Sequence, residues 1–162
     1  MENKIGLIPK IVVQGVMGPK EYGILLTDKR CIFVLEKASK ATVLGVVGDA
    51  ILTDKKIYDY ENEKIDNLAS DGKNIVVDYL SIKKLKIKRG LTGNILDITY
   101  TDNFSKKKTL KGNLIVPPEL IKKKQREGLD KKIITEEYLK NSRKLFEKAL
   151  PPIISQQAEW EI

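Results

Sequence analysis

The sequence contains no histidine and a single cysteine, Cys31, in 162 residues. Ser-His-Asp and Cys-His nucleophilic systems need an imidazole, and most zinc sites need imidazoles or several thiolates. Composition therefore excludes those chemistries, and of the metal sites it leaves open only one built from carboxylates, such as a magnesium site. A lone cysteine cannot form an internal disulfide, which fits a reducing compartment. It lies in an apolar stretch, where a small buried side chain is expected rather than a reactive thiol. No apolar run approaches the roughly 20 residues that a membrane-crossing helix requires. The opening MENKIGLIPK lacks the long apolar core of a signal peptide, so a cytoplasmic location is expected. The phosphate-loop pattern G-x-x-x-x-G-K-[ST] is absent. No cofactor is implied.

What the chain has in excess is charge, and its distribution is uneven. The net charge is +8, yet residues 1–80 carry 11 Lys and Arg against 12 Asp and Glu. Residues 81–148 carry 19 against 8, and residues 149–162 hold two glutamates and no base. A basic segment of that kind raises the expectation of an anionic partner, or else forms a solvated surface that blunts aggregation. At this length one domain with a proper core is expected, spanning 1–150, followed by a tail over 151–162.

The clearest local signal is Tyr22–Lys37, YGILLTDKRCIFVLEK, which reads as a β-hairpin. Both faces of its strands are apolar: Ile24 and Leu26 point opposite to Gly23, Leu25 and Thr27, and Cys31, Phe33 and Leu35 alternate with Ile32 and Val34. The hairpin should therefore be covered on both sides. Its turn, Thr27–Arg30, is expected to leave Lys29 and Arg30 solvated. A first strand is expected over Ile11–Met17, with Gly18-Pro19 turning the chain into the second. The small-residue stretch Ala41–Leu52 is read as a helix packed on the sheet, in preference to a membrane-dipping segment, within an insertion over about 38–74 that also holds one helical turn at Lys64–Ala69. Alternating patterns over Ser81–Arg89, Ile95–Thr101 and Lys106–Leu114 predict a β-meander with one buried and one wet face. Pro118 suits the first turn of a helix running to about Arg126 and closed by Gly128. A second helix, capped by Thr135, is marked by the apolar stripe Tyr138, Leu139, Ser142, Leu145, Phe146 and Ala149. The C-terminal helices occupy about 117–150, and the tail with Trp160 either packs back, engages a partner or stays loose.

GILLTDKRCIFV resembles the G-x-L-x-L-T-x-x-R-L-x-F hairpin of GRAM and bacterial-type pleckstrin-homology (PH) domains, with Gly23, Leu26, Thr27, Arg30 and Phe33 on the family positions. VDYLSIKKLKIKRG is similar to a later Y-x-x-I-x-x-V segment, with Tyr79, Ile82 and Leu85 matching. The likeness spans residues 10–150 loosely and is specific in those two pieces alone. It implies a mainly β fold with α elements: a partly open antiparallel PH-like barrel of about seven strands, with a helical insertion after the third strand and C-terminal capping helices. It also implies a binding module that catalyses nothing. The loop between the first two strands, Met17–Tyr22, offers only Lys20, which departs from the phosphoinositide-binding subset.

The expected function is engagement of a protein partner or self-assembly into a homo-oligomer, with peripheral contact to an anionic membrane as an additional role. The candidate anion-binding residues are Lys84, Lys86 and Lys88 on one strand and Lys107 and Lys111 nearby. Lysines act as point charges, so binding would be weakly specific and salt-dependent. Nucleic acid is the alternative occupant of the same face, disfavoured because aromatics make up only 6% and none interleaves with these lysines. An enzyme is the third reading. Its candidate carboxylates are Asp49, Asp54, Asp59, Glu61 and Glu63, and Ser105–Lys108 contains an S-x-x-K match without its companion motifs. No small-molecule substrate is identified.

Overall fold

The computed structural model describes residues 1–38, 63–91 and 93–161. The helix read over Ala41–Leu52, and the acids Asp49, Asp54, Asp59 and Glu61, lie outside the described residues. Eight strands form one sheet: β1 (Lys4–Gly15), β2 (Gly18–Thr27), β3 (Arg30–Ala38), β4 (Ile75–Asp78), β5 (Ile82–Arg89), β6 (Asn94–Thr101), β7 (Lys107–Leu114) and β8 (Glu159–Glu161). Their order is β4-β3-β2-β1-β7-β6-β5-β8. All neighbours are antiparallel except β5 and β8, which run parallel. Four helices are described: α1 (Ile65–Ser70), α2 (Pro118–Arg126), α3 (Lys131–Ala149) and α4 (Pro152–Gln157).

The mainly β expectation holds, but the sheet does not close into a barrel. Among the described residues no ladder joins the edge strands β4 and β8. On the β4 side a polar cleft of about 330 Å³ opens instead, lined by Arg30, Asn74, Asp78, Thr101, Asp102 and Asn103. The meander and the hairpin are nonetheless two halves of one layer, because β1 serves both. It pairs with β2 along most of its length and with β7 through Ile11, Val12 and Val13. The ladder slips between Ile8 and Ile11, around Pro9, which has no N–H to give. There the Lys10 amide donates to the Tyr138 hydroxyl at 3.3 Å, and the Lys10 carbonyl accepts from Ile115. A single bulge thus ties β1 to both the long helix and the end of β7.

One main core lies on the inner face. Ile24, Leu26, Cys31 and Phe33 meet Leu85, Ile87, Leu96, Ile98, Leu110 and Leu114 there, beneath Leu139 and Phe146 of α3. Period-2 alternation puts these residues inward, as the meander pattern predicts. The outer face of the hairpin is covered as well, since Leu25, Ile32 and Val34 pack on Leu68 of α1. The expectation of strands buried on both faces is borne out. Cys31 is fully buried, and burial pushes its thiol well above the usual range.

Three local expectations are corrected. The first two strands begin earlier than read, so their hairpin turn is the two-residue Val16-Met17 rather than Met17–Tyr22. Asp130, not Thr135, caps α3: its carboxylate accepts from the Lys132 amide at 2.7 Å, while Thr135 lies inside the helix and bonds the Lys131 carbonyl. The helical stripe itself is as read, with Tyr138, Leu139, Ser142, Phe146 and Ala149 buried and Leu145 half-buried.

Nor is Arg30 solvated: its side chain is 22% exposed and pairs with Glu2 at 2.9 Å and Asp66 at 3.2 Å. The reason is the turn. Thr27, fully buried, takes the Lys29 and Arg30 amides on its hydroxyl, and that hydroxyl lies 2.6 Å from Glu2. Tyr79 closes the back of the turn by donating its phenol to the Thr27 carbonyl at 2.9 Å. Thr27, Arg30 and Tyr79, drawn from the two short pieces that carry the PH-like resemblance, therefore meet at one hydrogen-bonded corner.

Candidate anion-binding face

The five lysines singled out in the sequence do share one face. Strand register places Lys84 opposite Thr99, Lys86 opposite Asp97 and Lys88 opposite Ile95. On the other side of β6, Asp97 faces Lys111 and Thr101 faces Lys107. Directly opposed residues in an antiparallel pair point to the same side. Lys84, Lys86, Lys88, Lys107 and Lys111 thus lie on the outer surface of β5–β7, behind the core side chains Leu85, Ile87, Leu96, Ile98 and Leu110.

The face is not a continuous cationic patch. Asp97 sits at its centre, half-buried, and binds Lys84 Nζ at 3.0 Å through Oδ2. Its other oxygen, Oδ1, is buried with no hydrogen-bond partner among the described residues. Lys86 is held from the opposite side by Glu159 at 3.1 Å and Glu161 at 2.6 Å. These hydrogen bonds, Glu161 first, raise the Lys86 pKa, and the bond from Lys86 lowers that of Glu161. Among the described residues Lys88, Lys107 and Lys111 make no ion pair. Lys88 stands opposite Glu161, whose pKa its charge helps Lys86 to lower, so Lys107 and Lys111 are the two of the five that neither pair nor face a carboxylate of β8.

The sequence assigns Glu159 and Glu161 to no site. They belong to the segment set apart as a tail, but residues 152–161 form α4 and β8 and return to the sheet. Ile154 is buried, and Trp160 lies half-buried opposite Ile87, with the Arg143 guanidinium 5.6 Å from its ring centre. The alternation Glu-Trp-Glu is itself a strand pattern, and it was the available signal.

Of the enzyme candidates, Glu63 and Ser105–Lys108 are among the described residues, and they lie in a loop and at a strand turn. Glu63 accepts from Asn67 at 2.8 Å, and its carbonyl takes the Lys4 ammonium. Ser105 stands at φ 59° in a tight β6–β7 turn, where Asp102 accepts the Phe104 and Lys106 amides. Among the described residues no three acidic or thiol side chains gather as metal ligands. No helix among them is long and apolar enough to cross a membrane.

Fold and face together define a mostly antiparallel sheet with α3 on its inner face, α1 over the outer face of the hairpin and a lysine-rich outer surface on β5–β7. Comparison of the chain with protein-family models, with curated proteins and with solved structures finds no match.

Proposed function

We propose that the protein is a non-catalytic, PH-like binding module that takes an acidic protein surface, on a partner or on a second copy, against the outer face of β5–β7. The observation that carries this reading is the convergence of five lysines on that face, where Lys84 and Lys86 already hold carboxylates of the chain itself. The lysines stand about 7 Å apart along β5 and about 10 Å apart across β6 to β7, a spacing that matches carboxylates carried on another protein. The PH-like part of the reading draws support from the strand order, the closing helix α3 and the corner where Thr27, Arg30 and Tyr79 meet. Poly-glutamate serves as the probe, in a salt series. Binding should weaken steeply with salt and be lost when the five lysines are changed to glutamine. Binding that ignores salt, or survives those changes, overturns the proposal. Light scattering on the same samples separates a partner-binding monomer from a self-assembling chain.

A second reading is favoured by one feature of the β6–β7 turn. Phe104 is 84% exposed beside Lys106, Lys107 and Lys108. An aromatic at the tip of a basic turn suits the headgroup layer of an anionic bilayer. Sedimentation with phosphatidylserine vesicles tests it: Phe104→Ala should release the protein from the lipid pellet, and an unchanged pellet rejects the reading. Duplex DNA in the same series covers the nucleic-acid alternative.

A further inference from the structure

The edge of β5 carries a ligand-like contact made by the chain itself. β8 is three residues long and pairs in parallel: Glu159 opposite Lys86, Trp160 opposite Ile87, Glu161 opposite Lys88. The glutamates straddle Lys86 from positions that leave each of them 56% exposed. Trp160 points to the other side, against the main core and under Arg143 of α3. The slot therefore has three parts: the strand edge that β8 occupies, a cation on its outer side, and an apolar wall with a second cation on its inner side. A strand this short adds little by itself, and exposed ion pairs are weak. What keeps it in place is tethering through α4, which holds it near its slot at an effective concentration on the order of millimolar.

We infer that the β5 edge is a peptide-docking slot, occupied here by the C-terminal segment, and that its external ligand is an extended stretch of a partner protein with an aromatic residue flanked by two acids. Such a segment adds to β5 as a parallel strand. Its backbone takes the edge hydrogen bonds, its acids take Lys86 and its aromatic side chain fills the Trp160 position. The resident segment competes in cis, so the slot opens to partners able to displace it. This deepens the proposed protein-binding function by naming the partner's chemistry at the β5 side of the lysine face, and it rests on that reading.

The test uses the only tryptophan in the chain as its reporter. A variant with Glu159→Lys, Trp160→Phe and Glu161→Lys keeps the length of the tail but sets two lysines against Lys86. It contains no tryptophan. The acetylated peptide QQAEWEI supplies one, and its fluorescence anisotropy and emission shift report binding. For the intact chain, the same peptide carrying a fluorescein label serves as the probe for both proteins.

The peptide should saturate the released variant and bind the intact chain at least tenfold more weakly. Adding Lys86→Ala to the released variant should cost a further tenfold, and the peptide QQAKWKI should bind the released variant at least tenfold more weakly than QQAEWEI. Equal binding to released and intact chains overturns the inference. So does failure of QQAKWKI to discriminate, or absence of binding while circular dichroism shows the released chain folded. A released or intact chain with twice the monomer mass would make the occupant a second copy's tail and would also overturn it. Retention of the released variant by poly-glutamate separates the two proposals: peptide binding lost with poly-glutamate binding kept rejects the slot alone.

Discussion

Replacing Thr27 by valine removes one hydroxyl and changes almost no volume, yet the corner it supports should fail. That hydroxyl accepts the Arg30 amide at 3.0 Å and the Lys29 amide at 3.2 Å, and it stands within hydrogen-bond reach of Glu2 Oε1 and the Arg30 carbonyl. A hydrogen bond to a charged group contributes roughly 1.5–3 kcal/mol, and a buried donor left without an acceptor costs about 1–3 kcal/mol. Water can reach Lys29 at the exposed tip and offset part of that loss. The expected destabilisation is about 2–4 kcal/mol, a large share of a typical total of roughly 5–15 kcal/mol. At this chain length each kcal/mol lowers Tm by about 2–4 °C, so a fall of roughly 5–15 °C is expected. Urea and thermal unfolding followed by circular dichroism measure both quantities. Thr27→Ser is the control, since it keeps the hydroxyl and gives up only a methyl group, at about 1 kcal/mol. If Thr27→Val lies within about 0.5 kcal/mol of the parent, or if serine is as costly as valine, the hydroxyl is not what holds the turn.

The remaining predictions concern charge, packing and the face itself. Glu2 is pushed up by burial, but bonds from Arg30 and Thr27 and the Arg30 charge outweigh it, leaving its pKa below the ordinary 4.5. Its contribution should be complete above pH 4.5 and fade as pH falls through the lowered folded value, and Glu2→Gln should remove that pH dependence from the stability curve. Gly112→Ala should destabilise by about 1–3 kcal/mol in urea unfolding, because its Cβ would meet Ile11 Cγ1 and the Val12 carbonyl, each at 2.8 Å. Asp130→Ala should cost about 1 kcal/mol by the same measurement through loss of the α3 cap, whereas Thr135→Ala should cost less. Asp97→Asn removes the carboxylate at the centre of the lysine face and frees Lys84, so poly-glutamate should bind about two- to fivefold more tightly in low salt. Unchanged or weaker binding would mean that this carboxylate does not compete for the face.

Periodicity determined much of this protein without help. The two-faced apolar pattern of Gly23–Leu35 predicts strands covered on both sides, and the structure buries them between the main core and Leu68. The alternation in β5, β6 and β7 puts the lysines outward, because side-chain direction in a strand follows from position alone. The stripe from Tyr138 to Ala149 marks α3 for the same reason. Composition also removed imidazole and thiolate chemistry from consideration.

Tertiary structure decided what depends on residues far apart in the chain. Arg30 looks like a solvated turn residue until Glu2, 28 positions earlier, reaches it. Thr135 satisfies the local rule for a cap, but Asp130, five residues upstream, starts the helix first. Whether the sheet closes is set by the meeting of its edges, and local sequence does not encode that distance. The lysine face shows the division most clearly. Five positive charges on one side follow from register, whereas their partial neutralisation follows from Asp97 on the neighbouring strand and from two glutamates more than 70 residues away. Charge is counted along the sequence, but a potential is summed over distance in space, and only the fold supplies those distances.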